Sequence, residues 1–217
     1  MPVPAHPRPA VLDLFAGAGG LGLGLTRAGF RVQAANEYES VFAATYALNH
    51  PETTVVAGDV LDPAVRAELL AAAQGVAVVA GGPPCQGFST VGKKNEDDPR
   101  NKLFYAFLDI VGHLQPRAVL FENVSGFRRM YGGRAFQALA GGLDDLGYAT
   151  RRCDLLNAMD YGVPQSRQRT FVVAFREETD FRFPAPTHGE PDKLFRRAPP
   201  LTLADALSDL PPVASGE

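Results

Sequence analysis

A thiol framed by prolines and glycines is the most chemically pointed feature of the chain. Cys85 stands in Gly81-Gly82-Pro83-Pro84-Cys85-Gln86-Gly87-Phe88-Ser89, directly after a short apolar run. Such a loop is stiff turn chemistry and a poor place for a core cysteine, so the segment is suited to presenting a nucleophile. Glu122, in Phe121-Glu122-Asn123-Val124, closes another apolar run. On local grounds it is equally a helix cap or a working carboxylate. Arg167 and Arg169 alternate in Gln165-Ser166-Arg167-Gln168-Arg169, so both point one way if the segment is extended. Paired guanidinium groups suit a phosphate or a carbonyl oxygen, although an exposed basic edge would read the same.

A second group suits a nucleoside. Gly17, Gly19 and Gly22 satisfy G-x-G-x-x-G inside Asp13-Leu14-Phe15-Ala16-Gly17-Ala18-Gly19-Gly20-Leu21-Gly22. Glycines there permit a tight turn and close approach of a ligand to the backbone. Glu37, some 20 residues on, is placed to accept ribose hydroxyls, and Asp59 is placed for an adenine amine. The spacing leaves open whether the nucleoside is a dinucleotide or adenosylmethionine, and whether the glycines serve packing alone.

These residues need elements to position them. Apolar, β-prone runs cover Ala10–Phe15, Arg31–Asn36, Thr53–Ala57, Val76–Ala80, Arg117–Phe121 and Thr170–Ala174. Helical periodicity lies between them. Leu21, Leu25 and Ala28 share a face ended by Gly29, and Asp62-Pro63 reads as an N-cap with proline at the first helical position. Leu103–Leu114 and Phe136–Leu146 give amphipathic helices. The alternation predicts an α/β fold with a doubly wound, mostly parallel sheet. Its reactive residues then gather at the carboxyl ends of the strands. The pattern breaks down past Glu177. We expect a cofactor-binding and catalytic domain over residues 1–180 and an irregular segment over 181–217.

Composition excludes other classes. With 217 residues, 46% of them hydrophobic, the chain can bury a core and is not disordered. No apolar run reaches the roughly 18 residues that a membrane helix needs. The proline-rich start is no signal peptide, so the cytoplasm is the expected compartment, nucleoid-associated in a prokaryote. Two Cys and four His, scattered, give no metal-ligand spacing. The net charge is −3, so nucleic-acid binding is not advertised globally. The loop over residues 90–102 is either a solvated connection or a lid. Arg128-Arg129, Arg151-Arg152 and Arg196-Arg197 read as solvated faces.

Taken in order, Phe-Ala-Gly-x-Gly-Gly, Pro-Pro-Cys-Gln, Glu-Asn-Val and Gln-x-Arg-x-Arg closely resemble the C5-cytosine DNA methyltransferases over roughly residues 10–212. The resemblance implies an adenosylmethionine-dependent, Rossmann-like fold with S-adenosyl-L-methionine in the glycine pocket. Phe15, Gly17, Gly19, Gly20, Glu37, Tyr38, Asp59, Val60 and Leu103 match cofactor-contacting positions. It implies double-stranded DNA as substrate, with the target cytosine flipped out of the helix. Cys85 becomes the nucleophile that adds at C6. Glu122 holds N3 and the exocyclic amine, and Arg169 with Arg167 polarises O2. Pro84, Gln86, Ser89 and Asn123 belong to the substrate loop and its surroundings.

Members of that family continue into a target-recognition region and two further motifs. Leu201–Pro212 resembles the segment just before that region. The expectation is the N-terminal catalytic part of a longer or split enzyme, with a second chain or a lost C-terminal part carrying target recognition. Other readings are a partner-dependent or non-catalytic subunit, a transfer-RNA cytosine methyltransferase, and a nicotinamide-dependent oxidoreductase. The last leaves Cys85, Glu122 and the arginine pair idle.

Overall fold

The computed structural model describes residues 8–84, 102–190 and 197–211. Strands β1 (Ala10–Leu14), β2 (Arg31–Glu37), β3 (Thr54–Ala57), β4 (Val78–Gly81), β5 (Ala118–Val124), β6 (Thr150–Asn157) and β7 (Gln168–Phe175) form one sheet. Their order is β3-β2-β1-β4-β5-β7-β6. The first five pair in parallel, and β7 runs antiparallel between β5 and β6. The mostly parallel, doubly wound architecture expected from the alternation is present. The order reverses between β1 and β4, so their carboxyl ends flank the crevice where such sheets bind ligands.

Helices α1 (Gly20–Arg27), α2 (Ser40–Asn49), α3 (Pro63–Ala72), α4 (Lys102–Leu114) and α5 (Arg134–Asp145) flank the sheet. The limits of α1, α3 and α5 follow the expected signals, whereas α2 carried none in the sequence and opens without a side-chain cap. Asp62 caps α3, its Oδ1 accepting from the Ala64 and Val65 amides at 2.7 and 3.3 Å. Gly29 and Gly147 follow α1 and α5 with φ of +91° and +83°, the left-handed conformation that lets glycine end a helix. A short α6 (Leu203–Leu207) is exposed on every side and opens with a Thr202–Asp205 capping box.

Most strand limits move by one to three residues from the sequence reading, and two differences have a clear physical reason. β1 stops at Leu14, because Phe15 turns left-handed with φ of +56° and starts the glycine turn. β6 was not anticipated, because it is a half-exposed edge strand carrying Arg151, Arg152 and Asp154 and has no apolar run. Arg151 is no free solvated charge. It donates to the Ala140 carbonyl and pairs with Asp144, tying β6 to α5.

The core has two unequal parts. The larger joins the sheet to α3, α4 and α5 through Leu12, Leu14, Leu69, Phe104, Phe107, Phe121, Leu139 and their neighbours. The smaller sits under α1 and α2 around Val11, Leu25, Val32, Ala35 and Tyr46. Phe121 is wholly buried at the centre of the larger, its ring 5.6 Å from that of Phe107 and 5.0 Å from that of Phe127. It also fixes the strand that carries Glu122. Phe121→Ala is expected to lower stability by about 3–5 kcal/mol, read as a lower midpoint in denaturant unfolding. A drop under 1 kcal/mol would mean the aromatic cluster is not the anchor of β5.

Candidate active site

Three strand ends converge. In the sheet register Leu14 of β1 lies beside Gly81 of β4, and Gly81 beside Phe121 of β5. The glycine turn, the Pro-Pro loop and Glu122 therefore emerge at one level. The close fit needs small residues. A Cβ on Gly81 would lie 2.6 Å from the Leu14 carbonyl oxygen, and one on Gly82 would lie 2.8 Å from Glu122 Oε2. A side chain at 82 would press on this carboxylate and on the Glu122 carbonyl oxygen, 3.0 Å from such a Cβ. Asn123 Nδ2 donates to the Pro83 carbonyl at 2.9 Å and locks the loop to β5.

The arginine pair reaches the same carboxylate. Arg169 Nε is 3.2 Å from Glu122 Oε1, and Arg167 Nη2 is 4.0 Å from it. The antiparallel pairing explains this: Arg169 lies opposite Val124, and Glu122 is two residues along on the same face. Arg167, just before β7, is half exposed, while Arg169 and Glu122 are mostly covered. With Gly82, Pro83, Pro84, Asn123, Val124, Met130 and Tyr131 these groups line a cavity of about 310 Å³. Met130 and Tyr131 carried no sequence signal. They arrive on a 3-10 segment over Phe127–Gly133 in which Tyr131 and Gly132 adopt left-handed backbone conformations. A larger cleft, about 850 Å³, runs along α4 between α3 and α5 and includes none of the motif residues.

Cys85, Gln86 and Ser89 lie outside the described residues, as does most of the 90–102 loop. The other cysteine, Cys153, sits on β6 with its thiol pushed up by burial, which disfavours the thiolate.

The nucleoside residues gather at the ends of β1, β2 and β3. Glu37 is almost fully buried, not a solvated surface acid. Its Oε2 accepts from the Gly17 amide at 2.7 Å and its Oε1 from the Glu39 amide at 2.9 Å. A carboxylate has about four lone-pair sites, so acceptor capacity remains for a diol. Asp59 Oδ1 accepts from the Leu61 amide, shaping the turn after β3. Tyr38 is exposed beside Glu37, and Leu103 opens α4 half-buried against the core. Val60 is the exception in kind. Its side chain is buried in the larger core, so only its backbone is free to face a ligand. Gly19 has φ of +100°, and a Cβ there would lie 2.7 Å from His50 Nε2. A side chain at 19 therefore strikes the protein beneath, whatever it does to a ligand above.

Beneath this turn lies a buried acid whose environment the sequence did not reveal. Asp13 is completely inaccessible, and Tyr46 Oη donates to its Oδ2 at 3.2 Å. Burial pushes the Asp13 carboxyl up to about 7, against hydrogen bonds from Tyr46 and the Gly22 backbone. The folded protein thus holds a proton on Asp13 that the unfolded chain loses near pH 4. Stability falls as pH rises from about 4 to about 7, by an amount on the order of 4 kcal/mol if the carboxyl titrates alone. Asp13→Asn is expected to remove this slope and raise Tm more at pH 8 than at pH 5. Equal shifts at both pH values would show that Asp13 is ionised throughout.

Comparison with known proteins places this arrangement. Residues 10–213 match the C-5 cytosine-specific DNA methylase family. The type II methyltransferase M.AgeI of Thalassovita gelatinovora is 40% identical over 217 residues, an alignment covering 92% of this chain and 50% of M.AgeI. The type II methyltransferase M.AquIA of a Picosynechococcus strain is 37% identical, covering 93% of this chain and 89% of M.AquIA. The chain thus spans about half the length of the first relative and most of the second. Among solved structures, one described as a DNA modification methyltransferase encoded within an E. coli prophage superposes with a TM-score of 0.73 at 32% identity, covering 94% of this chain and 56% of that one. The Dnmt2 methyltransferase of S. pombe shares the fold, with a TM-score of 0.64 at 24% identity over 81% of this chain and 52% of that one. Among the described residues no helix is long and apolar enough to cross a membrane, and no cluster of His, Cys, Asp and Glu could hold a metal ion. Matched across nearly its whole length, the chain belongs to the C-5 cytosine-specific DNA methylase family.

Proposed function

We propose that this chain carries the chemistry of methyl transfer to C5 of cytosine in DNA. The observation that carries the reading is the Glu122–Arg169–Arg167 cluster beneath the Gly81–Pro84 loop, one residue from Cys85. Family membership implies S-adenosyl-L-methionine, and the residues fit it. Glu37 retains acceptor sites for the ribose, Asp59 and Tyr38 stand at the neighbouring strand end, and the glycine turn leaves backbone accessible. Phe15, Gly17, Gly19, Gly20, Val60 and Leu103 complete the set by position. When bound, the cofactor supplies an electrophilic methyl group on a sulfonium for C5 to take up.

The chain's own residues prepare the base. Cytosine C5 is a weak nucleophile until the ring is activated. The Cys85 thiolate adds to C6, and the electron pair of the C5–C6 double bond becomes available at C5. Glu122 shares a proton with N3 and accepts from the exocyclic amine, so charge developing in the ring is neutralised where it forms. Arg169 holds Glu122 in place and, with Arg167, offers donors to O2. Water then takes the C5 proton, and the C5–H electron pair restores the C5–C6 double bond as the C6–S bond breaks and the thiolate leaves. Ring atoms inside a duplex are out of reach, so the cytosine must leave the stack and enter the cavity. Measured in the chain completed by the polypeptide that supplies DNA recognition, Cys85→Ser is expected to abolish transfer and to prevent a covalent adduct with DNA containing 5-fluorocytosine, while S-adenosylhomocysteine binding by calorimetry is kept. An adduct that persists in the variant would move the nucleophile elsewhere.

We further infer that sequence recognition in DNA requires polypeptide outside these 217 residues, as a C-terminal continuation or a second chain. Three observations support this: the coverage of about half of M.AgeI, the net charge of −3, and the exposed Leu203, Leu207 and Leu210 around α6. Phosphate contacts supply most non-specific affinity for DNA, and an acidic chain is poorly equipped for them alone. Residues 181–217 would then lead into that recognition part. The 217-residue chain by itself should transfer no methyl to mixed-sequence DNA, and co-expression with the downstream reading frame should restore transfer. Robust activity of the chain as a soluble monomer would refute this and put the DNA grip on its own surface.

A further inference from the structure

Asp13 has one satisfied and one orphaned oxygen. Oδ2 accepts from Tyr46, whereas Oδ1 is buried with no hydrogen-bond partner among the described residues. Native proteins rarely leave a buried polar atom in that state without a use for it. The carboxyl lies against the first turn of α1, at Gly22, the last glycine of the motif. A Cβ on Gly22 would be 3.0 Å from Asp13 Oδ2 and 2.2 Å from Tyr46 Oη. Tyr46 is itself wholly buried, and its ring centre is 4.6 Å from that of His50, which supports Gly19. Carboxyl, phenol and imidazole are thus layered beneath the turn. The titratable groups around Asp13 are Glu37 from β2, with Tyr46 and, behind it, His50 from α2; α1 presents backbone through Gly22. Asp13 and Glu37 bracket the turn from below and from the side, and both are acids.

We propose that Asp13, held in place by the positioning residue Tyr46, is a buried counter-charge that makes the glycine pocket favour a cationic nucleoside over a neutral one. The proposal rests on the cofactor reading above. The sulfonium donor carries a positive charge, and the thioether left after transfer does not. A cation arriving across the turn stabilises the Asp13 carboxylate and is stabilised by it, in surroundings too dry to screen the pair. The neutral product gains nothing from that charge. The charge therefore shifts the pocket toward the donor relative to the product.

Proton linkage gives the signature. In the ligand-free protein burial holds the proton on Asp13 up to about pH 7, and a cationic ligand draws the carboxyl into its ionised form. Affinity for the cation rises with pH through this range and then levels, while affinity for the neutral nucleoside is unaffected by Asp13. The test is calorimetric titration of the 217-residue chain with S-adenosylmethionine and S-adenosylhomocysteine between pH 5.5 and 8.5. The ratio of the two affinities cancels the amino-acid end they share, and it is expected to shift toward the cation by about tenfold across the range. Asp13→Asn should hold the ratio flat at its low-pH value. Tyr46→Phe removes a hydrogen bond that favours the ionised carboxyl, so the same rise should occur at higher pH. A merely structural role would not move that midpoint. A flat ratio in the unaltered chain, or an unchanged rise in Asp13→Asn, overturns the proposal. If Asp13→Asn does not fold, an unshifted midpoint in Tyr46→Phe overturns it. If neither nucleoside binds at any pH, the cofactor reading fails first and this inference with it.

Discussion

The position of one carboxylate governs the site. Glu122 must sit at the end of a buried strand, under a loop close enough to touch it, with a cation in reach. Each demand is met by a different part of the fold. Phe121 roots the strand in the aromatic core, Gly82 removes the Cβ that would collide with Oε2, and Arg169 arrives from an antiparallel neighbour at 3.2 Å. An unpaired acid in this partly covered place would pay a desolvation penalty. The guanidinium offsets it and leaves the second oxygen facing the loop.

The glycine turn obeys a parallel logic with a different anchor. Glu37 clasps the turn by accepting from Gly17, while Asp13, Tyr46 and His50 support it from below. The side chains around it therefore shape the backbone before any ligand arrives. Such preorganisation reduces the conformational entropy lost on binding.

Much of this was legible in the sequence, for physical reasons. Buried parallel strands announce themselves as apolar runs, so β1 to β5 and the level at which their ends meet followed from the pattern. The alternation of Arg167 and Arg169 correctly put both on one side, since a strand has a period of two. What escaped depends on contacts remote in sequence. β6 has no apolar run because an edge strand need not be buried on both faces. Asp13 reads as one more letter in a glycine motif until Tyr46, on another element, is found against it. Met130 and Tyr131 reach the cavity only through an irregular 3-10 segment that periodicity does not encode. Val60 matched a cofactor position by its place in the chain, yet its side chain serves the core.

The antiparallel insertion of β7 has a consequence for how the family can vary. Glu122 and Arg169 are joined by the hydrogen-bond ladder between β5 and β7, not by the chain that runs between them. That chain passes through α5 and β6 before returning. Its length is thus uncoupled from the spacing of the ion pair, and residues added or removed at the α5–β6 turn leave the ladder intact. A one-residue slip of β7 against β5 would instead turn Arg169 to the opposite face of the sheet. Length can be added at the α5–β6 turn, but the seam cannot move.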